Sequence, residues 1–124
     1  IMTFNGDSAS NYYQLHFMKG DGSNGSTGAE GAASYILPYT QPSANDTADA
    51  FAVAVIDLLD AFSSSKYTTS RSFRGVNLAA AYSTQVGLSS GLWMNTAALT
   101  EIKLQPIIGS FAAKTMIALY GVKG

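Results

Sequence analysis

Residues 91–124 close the chain with the stretch that decides its fold, GLWMNTAALTEIKLQPIIGSFAAKTMIALYGVKG. Within it, residues 99–105 alternate between apolar and polar side chains. Ile102 and Leu104 point to one side, and Lys103 between them points to the other. This period of two is typical of a half-buried strand, so we predict a strand over residues 99–105.

Two further strands flank this one, and turn signals separate all three. Residues 91–94 precede it and end at Asn95, whereas residues 114–122 follow it, after Pro106 and Gly109. Gly and Pro are the strongest local interruptions of regular structure. The end of the chain therefore predicts a β-meander, which makes the protein an all-β domain.

The remaining chain repeats this pattern of short strands and turns. The predicted upstream strands are residues 1–4, 12–18, 34–39, 51–59 and 66–73, and a strand through Val86 within residues 77–88. Residues 51–62 also fit a helical stripe, but their β-branched cluster and turn-rich neighbours favour a strand through Leu59. About eight strands spaced ~10–15 residues apart indicate a sandwich or jelly roll. We predict one antiparallel, jelly-roll-like β-sandwich domain over residues 1–124.

Residues 20–33 are rich in Gly, Ser and Ala and contain no bulky apolar side chain. Such a segment cannot pack a core, so we predict a surface loop that becomes ordered against a neighbouring subunit. Ser23 and Asn24 are its candidate contacts. Residues 20–25 also match G-x-G-x-x-G, but no helix follows to hold a pyrophosphate, so a hairpin loop is favoured and no cofactor is expected.

Composition excludes several classes of function. Only 12% of the residues are charged and the net charge is −1, which argues against a nucleic-acid-binding protein. The chain has no cysteine, so disulfides and thiolate metal sites are excluded. No apolar stretch approaches the ~18 residues of a membrane-spanning helix, so we expect no membrane insertion.

Residues that could carry catalysis or bind metal lack their partners. Residues 87–91 match the G-x-S-x-G pattern of hydrolases, but no Asp or His follows Ser89, as that mechanism requires. A turn of small residues is the favoured interpretation of this motif. His16 is the only histidine, and a lone His is more often a surface or interface group than a metal ligand. We therefore predict no catalytic, cofactor-binding or metal-binding residues and no enzyme activity.

Two acidic residues, Asp57 and Asp60, interrupt the apolar run over residues 51–62. They could form a cation site, or ion pairs with Arg71 or Arg74. The favoured interpretation is a strand that emerges into solvent at its end.

Aromatic residues make up 11% of the chain and are the best candidates for contacts. Trp93 and Phe111 are predicted to lie in the core. The tyrosines are expected at an interface between subunits or against sugars, because Tyr offers contact area at low entropic cost. These candidates are Tyr12, Tyr13, Tyr35, Tyr39 and Tyr67.

Several short segments resemble a family of small virion structural proteins from tailed bacteriophages, especially phages of marine bacteria. The segments are FNGD at 4–7, NY at 11–12, GDGS at 20–23, GLW at 91–93, NTAALT at 95–100, GSF at 109–111 and ALYGVK at 118–123. The resemblance spans most of the chain and is strongest over its last third. It implies a β-sandwich on the particle rather than an enzyme.

What the resemblance implies is a virion surface protein, either a capsid decoration protein or a tail or fibre component, made in the bacterial host cytoplasm. Its expected partners are further copies of itself, most simply in a trimer, and other virion proteins. The alternative is a receptor- or glycan-binding module of a tail fibre that contacts host surface glycan. Family members carry further strands before the segment matching Ile1, so we expect N-terminal strands of the full protein to precede it.

Overall fold

The computed structural model describes residues 1–20, 26–38, 50–78 and 85–122. Within these ranges the chain forms seven strands and no helix. The strands are β1 (Met2–Phe4), β2 (Tyr12–Gly20), β3 (Ser26–Ala33), β4 (Val53–Leu59), β5 (Thr68–Val76), β6 (Gln85–Trp93) and β7 (Ile102–Leu104).

The strands form two antiparallel sheets that pack against each other. Five strands make the larger sheet in the order β3-β2-β6-β5-β4, and β1 pairs with β7 in the smaller one. The predicted all-β antiparallel sandwich is confirmed. The two layers are unequal, so the small sheet covers only part of the large one.

The core lies where the small sheet meets one end of the large sheet. Phe4 of β1 packs on Trp93 of β6, with ring centroids 5.6 Å apart, and on Tyr12 of β2 at 6.1 Å. Met2, Ile36 and Leu99 complete the buried cluster around them. The predicted burial of Trp93 is confirmed. Phe111 is only partly buried and lies outside this cluster, so its prediction as a core residue is wrong.

Hydrogen bonds of Asp7 connect the turn after β1 to the core. Its Oδ2 accepts hydrogen bonds from Trp93 Nε1 at 2.7 Å and from Asn11 Nδ2 at 3.0 Å, and its backbone oxygen accepts one from the Tyr12 hydroxyl at 3.0 Å. The side-chain hydrogen bonds from Asn11 and Trp93 lower the pKa of Asp7 below its ordinary value. The ionised carboxylate is therefore the form that the fold stabilises.

The hydrogen bonds to Asp7 predict that the protein loses stability in acid when the Asp7 carboxylate is protonated. Because the pKa of Asp7 is lower in the folded state, the ionised carboxylate stabilises the fold. This stabilisation is complete above the unfolded pKa near 3.8 and is lost as the pH falls through the folded pKa. We expect Asp7→Asn to destabilise the chain by about 1 kcal/mol at pH 7, with the difference shrinking below pH ~4. Urea titrations of both proteins between pH 7 and pH 2.5 measure it.

The matched control is Asp60→Asn, because Asp60 is exposed and its partner Lys66, 3.1 Å away, is exposed as well. Such surface pairs contribute little, so its free energy of unfolding should stay within about 0.5 kcal/mol of the parent. If the Asp7→Asn difference stayed constant down to pH 2.5, the hydrogen-bonded carboxylate would not be the acid-sensitive group.

Strand β6 corrects two predictions about the G-x-S-x-G motif and its neighbours. The turn predicted over residues 87–91 and the separate strand over 91–94 are wrong, because β6 runs without interruption from Gln85 to Trp93. Its small residues are needed inside the sandwich. A Cβ atom on Gly91 would lie 2.6 Å from Ser70 Oγ and 2.8 Å from Ile36 Cδ1.

Strand β3 shows that part of the predicted loop over residues 20–33 is wrong. Ser26–Ala33 pairs with β2 as an edge strand of the large sheet. Pairing uses backbone groups, so it does not need bulky side chains. At Gly28 the His16 side chain lies close over the strand, since a Cβ atom built there would be 2.5 Å from His16 Nε2. Residues 21–25, with Ser23 and Asn24, fall outside the described residues.

Other predicted strands have mixed outcomes. The strands over 1–4, 12–18, 51–59 and 66–73 correspond to β1, β2, β4 and β5. The strand over 34–39 reduces to a single bridge between Met2 and Ile36 within its described part. Residues 79–84 of the segment 77–88 fall outside the described residues.

The predicted C-terminal meander is wrong. Of residues 99–105 only Ile102–Leu104 form a strand, and this strand pairs with β1 rather than with its sequence neighbours. Residues 114–122 form no strand and are exposed. Alternating or apolar sequence makes a strand possible, but a strand forms only where a partner supplies hydrogen bonds.

Candidate assembly surface

Away from the core around Tyr12 and Trp93, the large sheet points polar residues inward and apolar residues to solvent, which is the reverse of the usual arrangement. An antiparallel sheet with one face on the core normally points apolar residues inward and polar residues to water. Here the inner face, which the small sheet and residues 36–38 cover, carries buried polar side chains. They are Gln14, Thr68, Ser70, Ser72, Arg74 and Ser89.

The outer face is the opposite face, which faces solvent and carries large apolar residues. They are Tyr13, Leu15, Phe17, Val53, Val55, Leu59, Phe73, Val86 and Leu88. Four of them form one continuous row across β2, β6, β5 and β4, in the order Phe17, Leu88, Phe73, Val55. Their side chains are 44%, 55%, 55% and 61% exposed. They line a shallow depression of about 610 Å³.

One ion pair lies among these apolar residues. Asp57 of β4 and Arg71 of β5 face each other in the register, with Asp57 Oδ2 and Arg71 Nε 2.8 Å apart. The ion pair with Arg71, one of the alternatives considered for Asp57, is present. The favoured interpretation as the end of a strand is wrong for Asp57, because β4 continues to Leu59, but Asp60 does follow that end directly. An exposed pair of this kind adds little stability, but it leaves this part of the outer face without net charge.

The polar inner face binds backbone rather than an external ligand. Gln14 Oε1 accepts a hydrogen bond from Leu37 N at 2.8 Å, and Arg74 Nη1 donates one to Leu37 O at 3.0 Å. Burial lowers the pKa of Arg74 from its ordinary value. Ser72 and Ser89 share a hydrogen bond of 3.0 Å beside them. These contacts hold residues 36–38 on the sheet, so the inner face has a structural use.

The structure separates the tyrosines that the sequence grouped as candidate contacts. Tyr12 is completely buried and its hydroxyl is bonded inside the core, so its prediction as an interface or glycan contact is wrong. Tyr35 is partly buried, and Tyr67 is 43% exposed just before β5. Tyr13 lies on the outer face. Tyr39, Ser23 and Asn24 fall outside the described residues.

A second exposed apolar surface is the C-terminal segment, residues 114–122. Its large side chains are between 61% and 94% exposed, and they are Met116, Ile117, Leu119, Tyr120 and Val122. Lys114 is its single charged residue. Apolar residues occupy both alternating sides of the segment, which is typical of chain that is buried on both faces. Within the part of the chain that the structure describes, both sides of the segment are exposed.

The sequence did not predict either exposed apolar surface, although each surface has a recognisable pattern in the sequence. In β2 the bulkier apolar set, Leu15 and Phe17, alternates with Gln14 and His16. The alternation separates two sets of residues, but it does not say which set faces solvent. The continuous apolar run near the C-terminus predicts a strand, but it does not say whether that strand pairs within the fold.

Groups for chemistry are not assembled in the part of the chain that the structure describes. Ser89 lies in the middle of β6 and not at a strand-to-helix corner. Residues 1–20, 26–38, 50–78 and 85–122 contain no group of three or more His, Asp or Glu residues that could hold a metal ion. No helix within these ranges is long and apolar enough to cross a membrane.

Comparison of the chain with family models, with characterised proteins and with solved structures gives no match.

Proposed function

We propose that this chain is a non-enzymatic structural subunit of a bacteriophage virion, exposed on the particle surface and in contact with further copies of itself and with other virion proteins. The observation that carries the proposal is the outer face of the large sheet. Its row of four apolar side chains crosses four strands and remains in water in the single chain. Large contiguous apolar patches on a folded domain mark interaction sites.

Two further observations support this role. Ser89 is hydrogen-bonded to Ser72 inside the sandwich, whereas a nucleophilic serine must stand on an exposed turn. The segments that resemble phage virion proteins, such as GLW at 91–93 and NTAALT at 95–100, favour a virion as the assembly. A homo-oligomer, most simply a trimer, is the expected unit on the particle.

A direct test is to count copies of the chain in purified particles of the phage that encodes it. Trypsin cleavage after Lys103 and Lys114 releases residues 104–114, LQPIIGSFAAK, which contain no Met or Cys and suit an isotope-labelled standard. We expect hundreds of copies per particle for a decoration protein, or a few to tens for a tail component. Absence of the peptide from intact particles would reject the virion role.

A glycan-binding module of a tail fibre is the second candidate, and the exposed ring of Tyr67 favours it. Tyrosine combines an apolar face with a polar hydroxyl group, which suits contact with sugars. For this role we expect the chain to bind host surface polysaccharide and Tyr67→Ala to weaken binding at least tenfold. A parent chain that binds no host polysaccharide would exclude it.

A further inference from the structure

We propose that the C-terminal segment of one copy lies on the outer face of the large sheet of a second copy. The inference rests on the assembly role proposed above and names the contact through which copies join. It pairs the two exposed apolar surfaces of the chain with each other.

The outer face has the size of a subunit interface. Five strands spaced about 4.8 Å apart span about 24 Å, and strands of seven to nine residues extend about 23–30 Å. The resulting area is about 550–700 Å², close to the roughly 800 Å² that each partner buries in a standard interface. One extended segment of nine residues, about 30 Å long and one to two strand spacings wide, covers about 150–300 Å² of this face, so the proposed contact is a strip within it.

The C-terminal segment matches this face in length and in charge. Nine extended residues reach about 30 Å, which equals the length of the longest strands of the sheet. The charged side chains described on the outer face, Asp57 and Arg71, neutralise each other. Residues 115–122 carry no charge at all. Apart from Lys114 at its start, the segment is apolar and uncharged, and this surface favours such an occupant over an acidic or strongly basic partner.

The topology favours a neighbouring copy over the chain's own sheet. The segment follows β7, which belongs to the small sheet on the inner side of the sandwich. The chain's own outer face lies on the far side of the large sheet, and the segment remains exposed in the folded chain. A contact between two different surfaces of identical subunits closes into a ring when its rotation permits. Such a contact can therefore build a trimer.

Cysteine crosslinking tests the contact directly, because the chain contains no cysteine of its own. We would prepare Leu119→Cys in isotope-labelled form and Leu88→Cys unlabelled, mix them and oxidise the mixture under mild conditions. The expected product is a disulfide-linked pair of one labelled and one unlabelled chain. The matched control mixes Leu119→Cys with Lys103→Cys on β7, which is exposed and lies outside the proposed contact.

Two variants test whether the contact holds copies together. Deletion of residues 114–122 and the substitution Leu88→Asp should each raise the dissociation constant of self-association at least tenfold, as measured by sedimentation. Both should leave the dichroism spectrum of the chain unchanged, since these side chains are exposed. Thr96→Asp, which places the same charge on an exposed loop, is the control and should associate like the parent.

Each contrary result has a definite meaning. Pairs that form no more readily than the Lys103→Cys control would overturn the contact. In a chain that carries both Leu88→Cys and Leu119→Cys, a disulfide that forms only within the chain would assign the segment to its own sheet and overturn it as well. If the chain is found in purified particles but the crosslink between chains does not form, the contact is rejected and the virion role is kept. If the crosslink forms but the chain is absent from purified particles, only the virion role is rejected.

Discussion

Trp93→Ala is expected to lower the free energy of unfolding by about 3–5 kcal/mol, as large truncations in a core do. Trp93 is fully buried, its ring lies 5.6 Å from that of Phe4 and 6.5 Å from that of Tyr12, and its Nε1 donates to Asp7 Oδ2. The substitution removes one of the aromatic contacts between the two sheets and takes one hydrogen-bond donor away from the Asp7 carboxylate. Both losses lower the free energy of unfolding.

The measurement is chemical denaturation followed by far-ultraviolet dichroism, because Trp93 is the only tryptophan and its fluorescence disappears with it. We expect a lower midpoint with an unchanged dependence on denaturant. Met94→Ala is the matched control, since Met94 is the next residue and 41% exposed. Its stability should remain within about 0.5 kcal/mol of the parent. A parental midpoint for Trp93→Ala would place this side chain outside the core.

Gly91→Ala is expected to destabilise the chain by about 1–3 kcal/mol, although it adds a single methyl group. The new Cβ would lie 2.6 Å from Ser70 Oγ and less than 3.0 Å from two atoms of Ile36. Ser70 and Ile36 are themselves buried, so neither can move without disturbing the core. The cost comes from close approach of the strand to its neighbours, and not from backbone conformation.

Gly75→Ala provides the control for this substitution. Gly75 lies in the adjacent strand β5, and a Cβ atom built there meets nothing within 4 Å. Glycine weakens a strand interior, so this variant should equal the parent or be slightly more stable. Thermal and urea unfolding of the two variants side by side measure the difference. Equal stabilities for both would show that β6 does not approach Ser70 and Ile36 as described.

The sequence by itself determined which segments can form strands and what the class of the fold is. Alternation of apolar and polar residues predicted β2 and β5, and β-branched residues favoured β4 over a helix, as the structure has them. The burial of Trp93 was predicted as well. The strand assignments are local, because the period of side chains along a strand is a property of the strand itself.

The candidate assembly surface could be predicted only in part. Alternation divides a strand into two faces, but it does not say which face turns inward. In β2 the small sheet packs on the side of Tyr12, and this leaves Leu15 and Phe17 in solvent. The choice depends on β1 and β7, which join residues about 100 positions apart in the chain.

Tertiary structure alone decided the outcome wherever a partner was needed. Residues 26–33 are poor in apolar side chains but form a strand, because they pair with the edge of β2. The apolar residues 114–122 pair with none of the described strands and are exposed. The small residues of β6 predict a turn, because the close approach of Gly91 to Ser70 and Ile36 involves residues outside the strand. Backbone pairing and close packing are relations between distant segments, so the sequence of one segment cannot determine them.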